Sequence, residues 1–273
     1  MDKSKSRGRT ASKQAWRERI WSLLTRRRVG RFPLPLNDRI PNFAGAEQAA
    51  ARLAALPEWR AARTLKCNPD APQRAVRLSA LREGKDVYVA VPRLRAERCF
   101  IHLDPRRIPA ARLAAAATIG GAAALGVPVA PHELPHVDLV VAGSVAVNRR
   151  GARVGKGGGY SDLEFALATE LGAVDARTTV VTTVHDLQVV DGAIPMTAHD
   201  VPVDLVVTPT RVLRARRASP RPRGIRWDEL DAAQLAAMPA VAGRKARPGG
   251  VESARRRSRV RSGPVLKGEG HDH

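Results

Sequence analysis

Gly155, Gly157, Gly158 and Gly159 crowd into the stretch GARVGKGGGYSDLE, with Arg153 before them, Lys156 among them and Asp162 just after. A loop without Cβ atoms lets a polyphosphate reach backbone N–H groups that side chains would otherwise shield. Arg153 and Lys156 add full positive charge, and Asp162, where a helical pattern begins, suits either a helix cap or a magnesium ligand. The chemistry this suggests is a cradle for nucleotide phosphates. The order is neither that of a Walker loop, which puts Lys-Ser/Thr after the last glycine, nor GxGxxG. A tight flexible turn has the same composition, so the loop by itself leaves both readings open.

The flanking residues say what must hold the loop. Residues 137–147 (VDLVVAGSVAV) are β-branched and nearly uncharged, which predicts one buried central strand. From Asp162 onward Leu163, Phe165, Ala166, Leu167 and Leu171 fall at helical spacing, and Gly172 supplies a stop. The glycines are therefore expected where a strand hands over to a helix, whose partially positive end points at them. A second helix is expected from Ser12, with Trp16, Ile20, Leu23 and Leu24 on one face. In it Lys13 and Arg17 stand four apart on one side. Such a pair grips one anion from two points, or else forms a solvated basic face.

Helices are also expected at 46–56 and 75–82, with a less regular Ala-rich segment at 109–118. Strands are expected at 86–91, 99–103, 178–184 and 203–207. Alternating strands and helices predict an α/β fold with a mostly parallel sheet and a ligand at the carboxyl ends of its strands.

ARVGKGGGYSD resembles the signature of the 5-formyltetrahydrofolate cyclo-ligase family (methenyltetrahydrofolate synthetase), an Arg followed by Leu-Gly-x-Gly-x-Gly-Tyr-Tyr-Asp. Arg153, Gly155, Gly157, Gly159, Tyr160 and Asp162 match in register. Ser161 replaces the second tyrosine, and Leu163 stands where many members carry a basic residue. The chain is most similar to the divergent branch of methenyltetrahydrofolate synthetase domain-containing proteins. The resemblance implies a Rossmann-like three-layer fold of the NagB and ribose-5-phosphate isomerase class. It also implies an ATP- and magnesium-dependent ligase that makes 5,10-methenyltetrahydrofolate from 5-formyltetrahydrofolate.

On that resemblance ATP meets Lys13, Arg17, Arg153, Gly155, Lys156, Gly157, Gly158, Gly159, Tyr160 and Ser161, and catalysis rests on Lys13, Arg17, Arg153 and Lys156. The folate, or another folate-like molecule, meets Tyr160 and Asp70. Asp70 stands in CNPDAPQ at the place of the glutamate of the family's Glu-x-x-Thr substrate loop, and Gln73 stands at the threonine. An Asn-Pro-Asp turn bonded to its own backbone explains the same residues. Magnesium falls to Asp162 with Asp200 or Asp204, the latter two from a segment matching His-Asp-x-x-x-Asp at His199, Asp200 and Asp204; an Asp capping a turn is the alternative. Ser161, Leu163 and Asp70 also leave room for a second class, a catalytically divergent nucleotide- or RNA-binding protein on the same fold.

The formal net charge of +21 over 273 residues implies anionic partners. Expected boundaries are a disordered basic start at 1–11, the cyclo-ligase-like domain at 12–210, a linker with a short packing helix at 211–243, and a disordered basic tail at 244–273. In that tail Arg255, Arg256, Arg257, Arg259 and Arg261 would hold nucleic acid through phosphates without sequence preference. Cys67 and Cys99 read as buried thiols, too few for a disulfide framework. No uncharged run approaches the roughly 18 residues of a membrane span, and the start lacks the apolar core of a secretory signal. The expected compartment is the cytoplasm.

Overall fold

The computed structural model describes residues 11–246. Residues 1–10 and 247–273, with the tail arginines and most of the segments expected to be disordered, lie outside the described residues. The chain opens with α1 (Lys13–Arg26), capped by Ser12, whose hydroxyl accepts from the Ala15 amide at 3.1 Å. Strands β1 (Gly30–Arg31) and β2 (Asn42–Phe43) pair antiparallel, and α2 (Ala46–Ala54) and α3 (Pro57–Ala61) follow. Then come β3 (Thr64–Cys67), α4 (Arg74–Arg82), β4 (Asp86–Ala90), β5 (Phe100–Leu103), α5 (Leu113–Ala116), α6 (Ile119–Leu125), β6 (Val127–Val129) and β7 (Leu139–Val141). The second half carries β8 (Ala146–Asn148), β9 (Arg153–Val154), α7 (Tyr160–Glu170), β10 (Thr179–Thr183), β11 (Val189–Val190), β12 (Leu205–Val207), β13 (Val212–Arg214), α8 (Ala232–Ala236) and α9 (Pro239–Lys245).

Eight strands form the central sheet in the order β13-β12-β10-β7-β3-β4-β5-β6. The five inner strands, β12 to β4, are parallel, and β13, β5 and β6 join by antiparallel pairing. Strand alternation sends successive residues to opposite faces. Leu139, Val141, Val181, Leu205 and Val207 pack with Leu53, Trp59, Val76 and Leu81 of α2 to α4. Val140, Val180 and Val206 pack with Phe165 and Leu167 of α7 and with Met238 and Val241. Both faces are thus covered by helices, the three-layer α/β arrangement expected. A smaller sheet, β11-β8-β9, carries α1, whose Trp16, Ile20, Trp21 and Leu24 are buried with Val145, Ala146 and Val154.

Several expectations need correction. The run at 137–147 is not one strand. It leaves the sheet after Val141, because the next carbonyls are taken by side chains: Gly143 by Arg153 Nη1 at 3.2 Å, and Ser144 and Val145 by the Gln188 amide at 2.9 and 3.1 Å. The chain then crosses into the smaller sheet, so the strand that hands over to the glycine loop is β9. The basic run at 211–223 is not all linker, since Val212–Arg214 extends the central sheet with Leu213 opposite Val206. Cys67 and Cys99 are free and buried, and burial pushes the Cys99 thiol up to about 12. Among the described residues no helix is long and apolar enough to cross a membrane.

Candidate functional site

A cavity of about 430 Å³ opens at the carboxyl ends of β3, β4 and β7, lined on one side by Asn68, Asp70, Ala90 and Gly143 and on the other by residues 155–159 and the first turn of α7. Two glycines of the loop need their residue type. Gly157 has φ +119° and Gly159, the residue before α7, has φ +69°, both in the left-handed region. Tyr160, Ser161 and Asp162 line the same cavity. The loop's charged flank is buried, for Arg153 is 3 % exposed. Its guanidinium donates to Asp162 Oδ1 at 2.5 Å, Val201 O at 3.1 Å and Gly143 O at 3.2 Å. One side chain thereby fixes β7's exit, the start of α7 and the segment before β12.

Lys156 reaches across the cavity to Asp70 Oδ1 at 2.7 Å, so the expected phosphate lysine and the expected folate acid are paired with each other. Gln73 is fully buried and does not line the cavity. Ser161 exchanges hydrogen bonds with Asn68, Nδ2 to Oγ at 3.1 Å and Oγ to Oδ1 at 3.3 Å. From α1, Arg17 Nε donates to Gly155 O at 2.8 Å, and its guanidinium lies alongside Gly157. Burial lowers the Arg17 pKa. Lys13, one turn away, grips both oxygens of Asp200 at 2.6 Å. Arg17 therefore touches the loop, Lys13 meets Asp200 beside the Val201 that bonds Asp162 and Arg153, and neither lines the cavity.

Asp162 Oδ1 also accepts the Val201 amide at 2.9 Å. Among the described residues its Oδ2 accepts no hydrogen bond. Asp200 precedes Val201 and takes the Thr197 amide at 2.6 Å and hydroxyl at 2.8 Å besides Lys13. Burial pushes its carboxyl up, but the hydrogen bonds from Lys13 and Thr197 outweigh that and leave it below the usual range. Asp204 is a correction. It precedes β12 at the amino end of the sheet, away from the cavity, and its oxygens are taken by the Val180 amide at 2.8 Å, Arg217 at 3.1 Å and Arg221. His199 Nδ1 pairs with Glu229, and its Nε2 lies 4.0 Å from Asp200 Oδ1.

Among the described residues no three His, Cys, Asp or Glu side chains gather as a cation cage. Magnesium needs fewer, since it keeps several waters and takes one or two carboxylates beside substrate phosphates. Asp162, with one uncommitted oxygen on the cavity, fits that demand. Asp200 fits it only if Lys13 lets go.

Three contributors escaped the reading of the sequence. Lys66, in β3, and Glu164, on α7, form a nearly buried ion pair at the cavity wall, which Glu164 lines, with Lys66 also donating to Asn68 Oδ1 at 3.0 Å. Arg77, fully buried on α4, donates to the carbonyls of Asn68 at 2.5 Å, Pro69 at 3.1 Å, Asp70 at 3.2 Å and Ala117 at 2.9 Å. A faint signal existed for the pair: each charge interrupts an otherwise apolar run, and the two signs are opposite.

The model of the 5-formyltetrahydrofolate cyclo-ligase family matches residues 9–209. The methenyltetrahydrofolate synthase domain-containing protein of Mus musculus is 45% identical over 233 residues, covering 84% of this chain and 62% of the relative. Its Homo sapiens counterpart is 39% identical over 239 residues, covering 86% and 62%. The chain thus spans about three fifths of the length of these curated relatives. Among solved structures, the 5,10-methenyltetrahydrofolate synthetase of Aquifex aeolicus aligns over 76% of this chain and 95% of its own, with 20% identity and a TM-score of 0.47. On the span of the family match and the identity to these relatives, the chain belongs to the 5-formyltetrahydrofolate cyclo-ligase family.

Proposed function

We propose that the protein is an ATP- and magnesium-dependent ligase that closes 5-formyltetrahydrofolate to 5,10-methenyltetrahydrofolate, releasing ADP and phosphate. The observation that carries this reading is the glycine loop, set between buried Arg153 and the amino end of α7 with Lys156 over the same cavity. That is the equipment a transferring phosphoryl group requires, because such transfers need alignment and neutralised charge more than a dedicated acid or base. The formyl oxygen attacks the γ-phosphorus and ADP leaves. N10 then adds to the activated formyl carbon, and phosphate departs with the former formyl oxygen as N10 loses its proton. Lys156, Arg153, Arg17 and Lys13 supply positive charge for the phosphates, the loop amides donate to them, and Tyr160 and Asp70 border the folate. Magnesium, held by Asp162 and reachable by Asp200, would neutralise phosphate oxygens.

The test mixes the purified full chain with 5-formyltetrahydrofolate, ATP and magnesium and follows the near-ultraviolet absorbance of the methenyl product. The expected result is a rising trace that Asp162→Ala abolishes, and a Lys156→Ala variant with ATP KM raised about tenfold, the loss of one charged hydrogen bond. Turnover surviving intact in Asp162→Ala removes the metal assignment. A second reading, a nucleotide- or RNA-binding protein without ligase activity, is favoured by one observation: Asp70 and Ser161 are already bonded to Lys156 and Asn68. A flat trace with RNA bound by the full chain but not by residues 1–243 is the result that selects it.

A further inference from the structure

The Lys66–Glu164 pair sits where a purely structural ion pair has little reason to be. Their side chains are 3 % and 6 % exposed, yet Glu164 lines the cavity. Lys66 bonds only Oε2 of the glutamate. Among the described residues Oε1 accepts no hydrogen bond, nor is it among the sealed-in polar atoms that lack a partner, so it opens into the cavity. A nearly buried carboxylate oxygen without a donor is costly. The donor it lacks is one that a ligand can bring.

Among the described residues the competing acid, Asp70, has an Oδ2 that accepts no hydrogen bond either, but it faces a half-exposed lysine where water supplies donors, whereas the lysine beside Glu164 is buried. Asp70 already holds Lys156 through Oδ1 at 2.7 Å. Asn68 Oδ1 is occupied too, by Lys66 and Ser161. Around the cavity Ile40, Ala90, Pro92 and Ile119 provide apolar wall, which suits a flat ring. Oε1 offers one acceptor, and Oε2 keeps a lone pair beyond the one that Lys66 uses. The pattern offered is acceptor beside acceptor.

We propose that Glu164 reads the donor–donor edge of a 2-amino-4-oxopyrimidine ring, accepting its ring N–H and its exocyclic amine. Pterin and guanine share that edge, whereas adenine places a ring nitrogen lone pair beside its amine and would set acceptor against acceptor. The choice of pterin over guanine rests on the ligase reading above; the ring chemistry does not. Lys66 donates to the same carboxylate from a buried position, so the acid and its lysine act as one unit.

The experiment measures binding of 5-formyltetrahydrofolate, GTP and ATP to the full chain by calorimetry, for wild type, Glu164→Gln, Glu164→Asp and Asp70→Asn. Glu164→Gln should lose at least about tenfold in folate affinity and much less in ATP affinity, because a buried carboxylate facing two donors is replaced by an amide that offers one of them an N–H. Glu164→Asp keeps the charge that Lys66 needs and shortens the reach, so it serves if the amide variant folds poorly, and the same loss is expected. On wild type alone, pterin should compete with the folate at least tenfold better than 2,4-dioxopteridine, which presents an oxygen where the amine was. Folate affinity kept within threefold by both Glu164 variants overturns the proposal, as does a larger loss in Asp70→Asn or equal competition by the two pteridines. Wild type that binds GTP through Glu164 but no folate upholds the ring assignment and removes the ligase reading. Wild type that binds neither ring removes both.

Discussion

Every cation expected to hold phosphate already holds something else: Lys13 has Asp200, Lys156 has Asp70, Arg153 has Asp162, and Arg17 has the Gly155 carbonyl. Their residue types were legible in the sequence, because glycines and basic side chains in one short stretch leave few chemical readings. Their partners were not, since pairing depends on which strand end each acid occupies, and Asp200 and Asp204 differ in that while being four residues apart. Glu164 was hidden for another reason: one acid on a helix reads as a solvated face until the fold buries it. The Lys13–Asp200 pair makes a pH prediction. Asp200 has a depressed carboxyl in the folded state, so its stabilisation is complete above the ordinary carboxylate pKa near ~3.9 and is lost as pH falls through the lower folded value. Asp200→Asn should therefore cost about 1–2 kcal/mol near neutrality, discounted because Lys13 is partly exposed. The melting-temperature gap to wild type should close below about pH 4, and a gap that persists there contradicts the assignment.

Strands and helices differ in how openly the sequence declared them. The β-branched runs that became β4, β5, β10 and β12 were legible, because hydrophobic period and breakers agree in them. β3 was not recognised, as Lys66 interrupts a strand of only four residues, and its burial rests on Glu164 of α7 while Leu65 and Cys67 pack on the opposite face. β13 was masked by arginines that point outward while Leu213 pairs with Val206. The glycine loop's supporting turns can be separated by mutation. At Gly151, φ is +76° and a Cβ would stand 2.4 Å from the Val203 carbonyl oxygen, so Gly151→Ala should destabilise by about 2–4 kcal/mol. At Gly159, φ is +69° with nothing within 4 Å, and Gly159→Ala should cost only about 1 kcal/mol. Urea denaturation of both variants checks the order, and equal losses would mean that backbone conformation alone, not the approach to Val203, sets the requirement at Gly151.

Across the whole molecule, the segment after β12 is part of the packing. Ile225, Met238 and Val241 are buried with Phe165 and Leu167 of α7. Arg221 lies over the Phe165 ring at 5.9 Å, donates to Thr178 O at 2.8 Å and pairs with Asp204. A chain ending at residue 210 should lose more than about 3 kcal/mol, because it uncovers apolar surface and strips Asp204 of both arginines; an unchanged melting temperature would show that residues 211–246 only rest on the domain. Arg77 works at the same scale, joining the exit of β3 to Ala117, 40 residues downstream. By clasping three successive carbonyls of the turn that carries Asp70, it immobilises that turn when the chain folds. Binding then begins from an edge of the cavity whose shape is already settled, and little of a ligand's affinity is lost to ordering it.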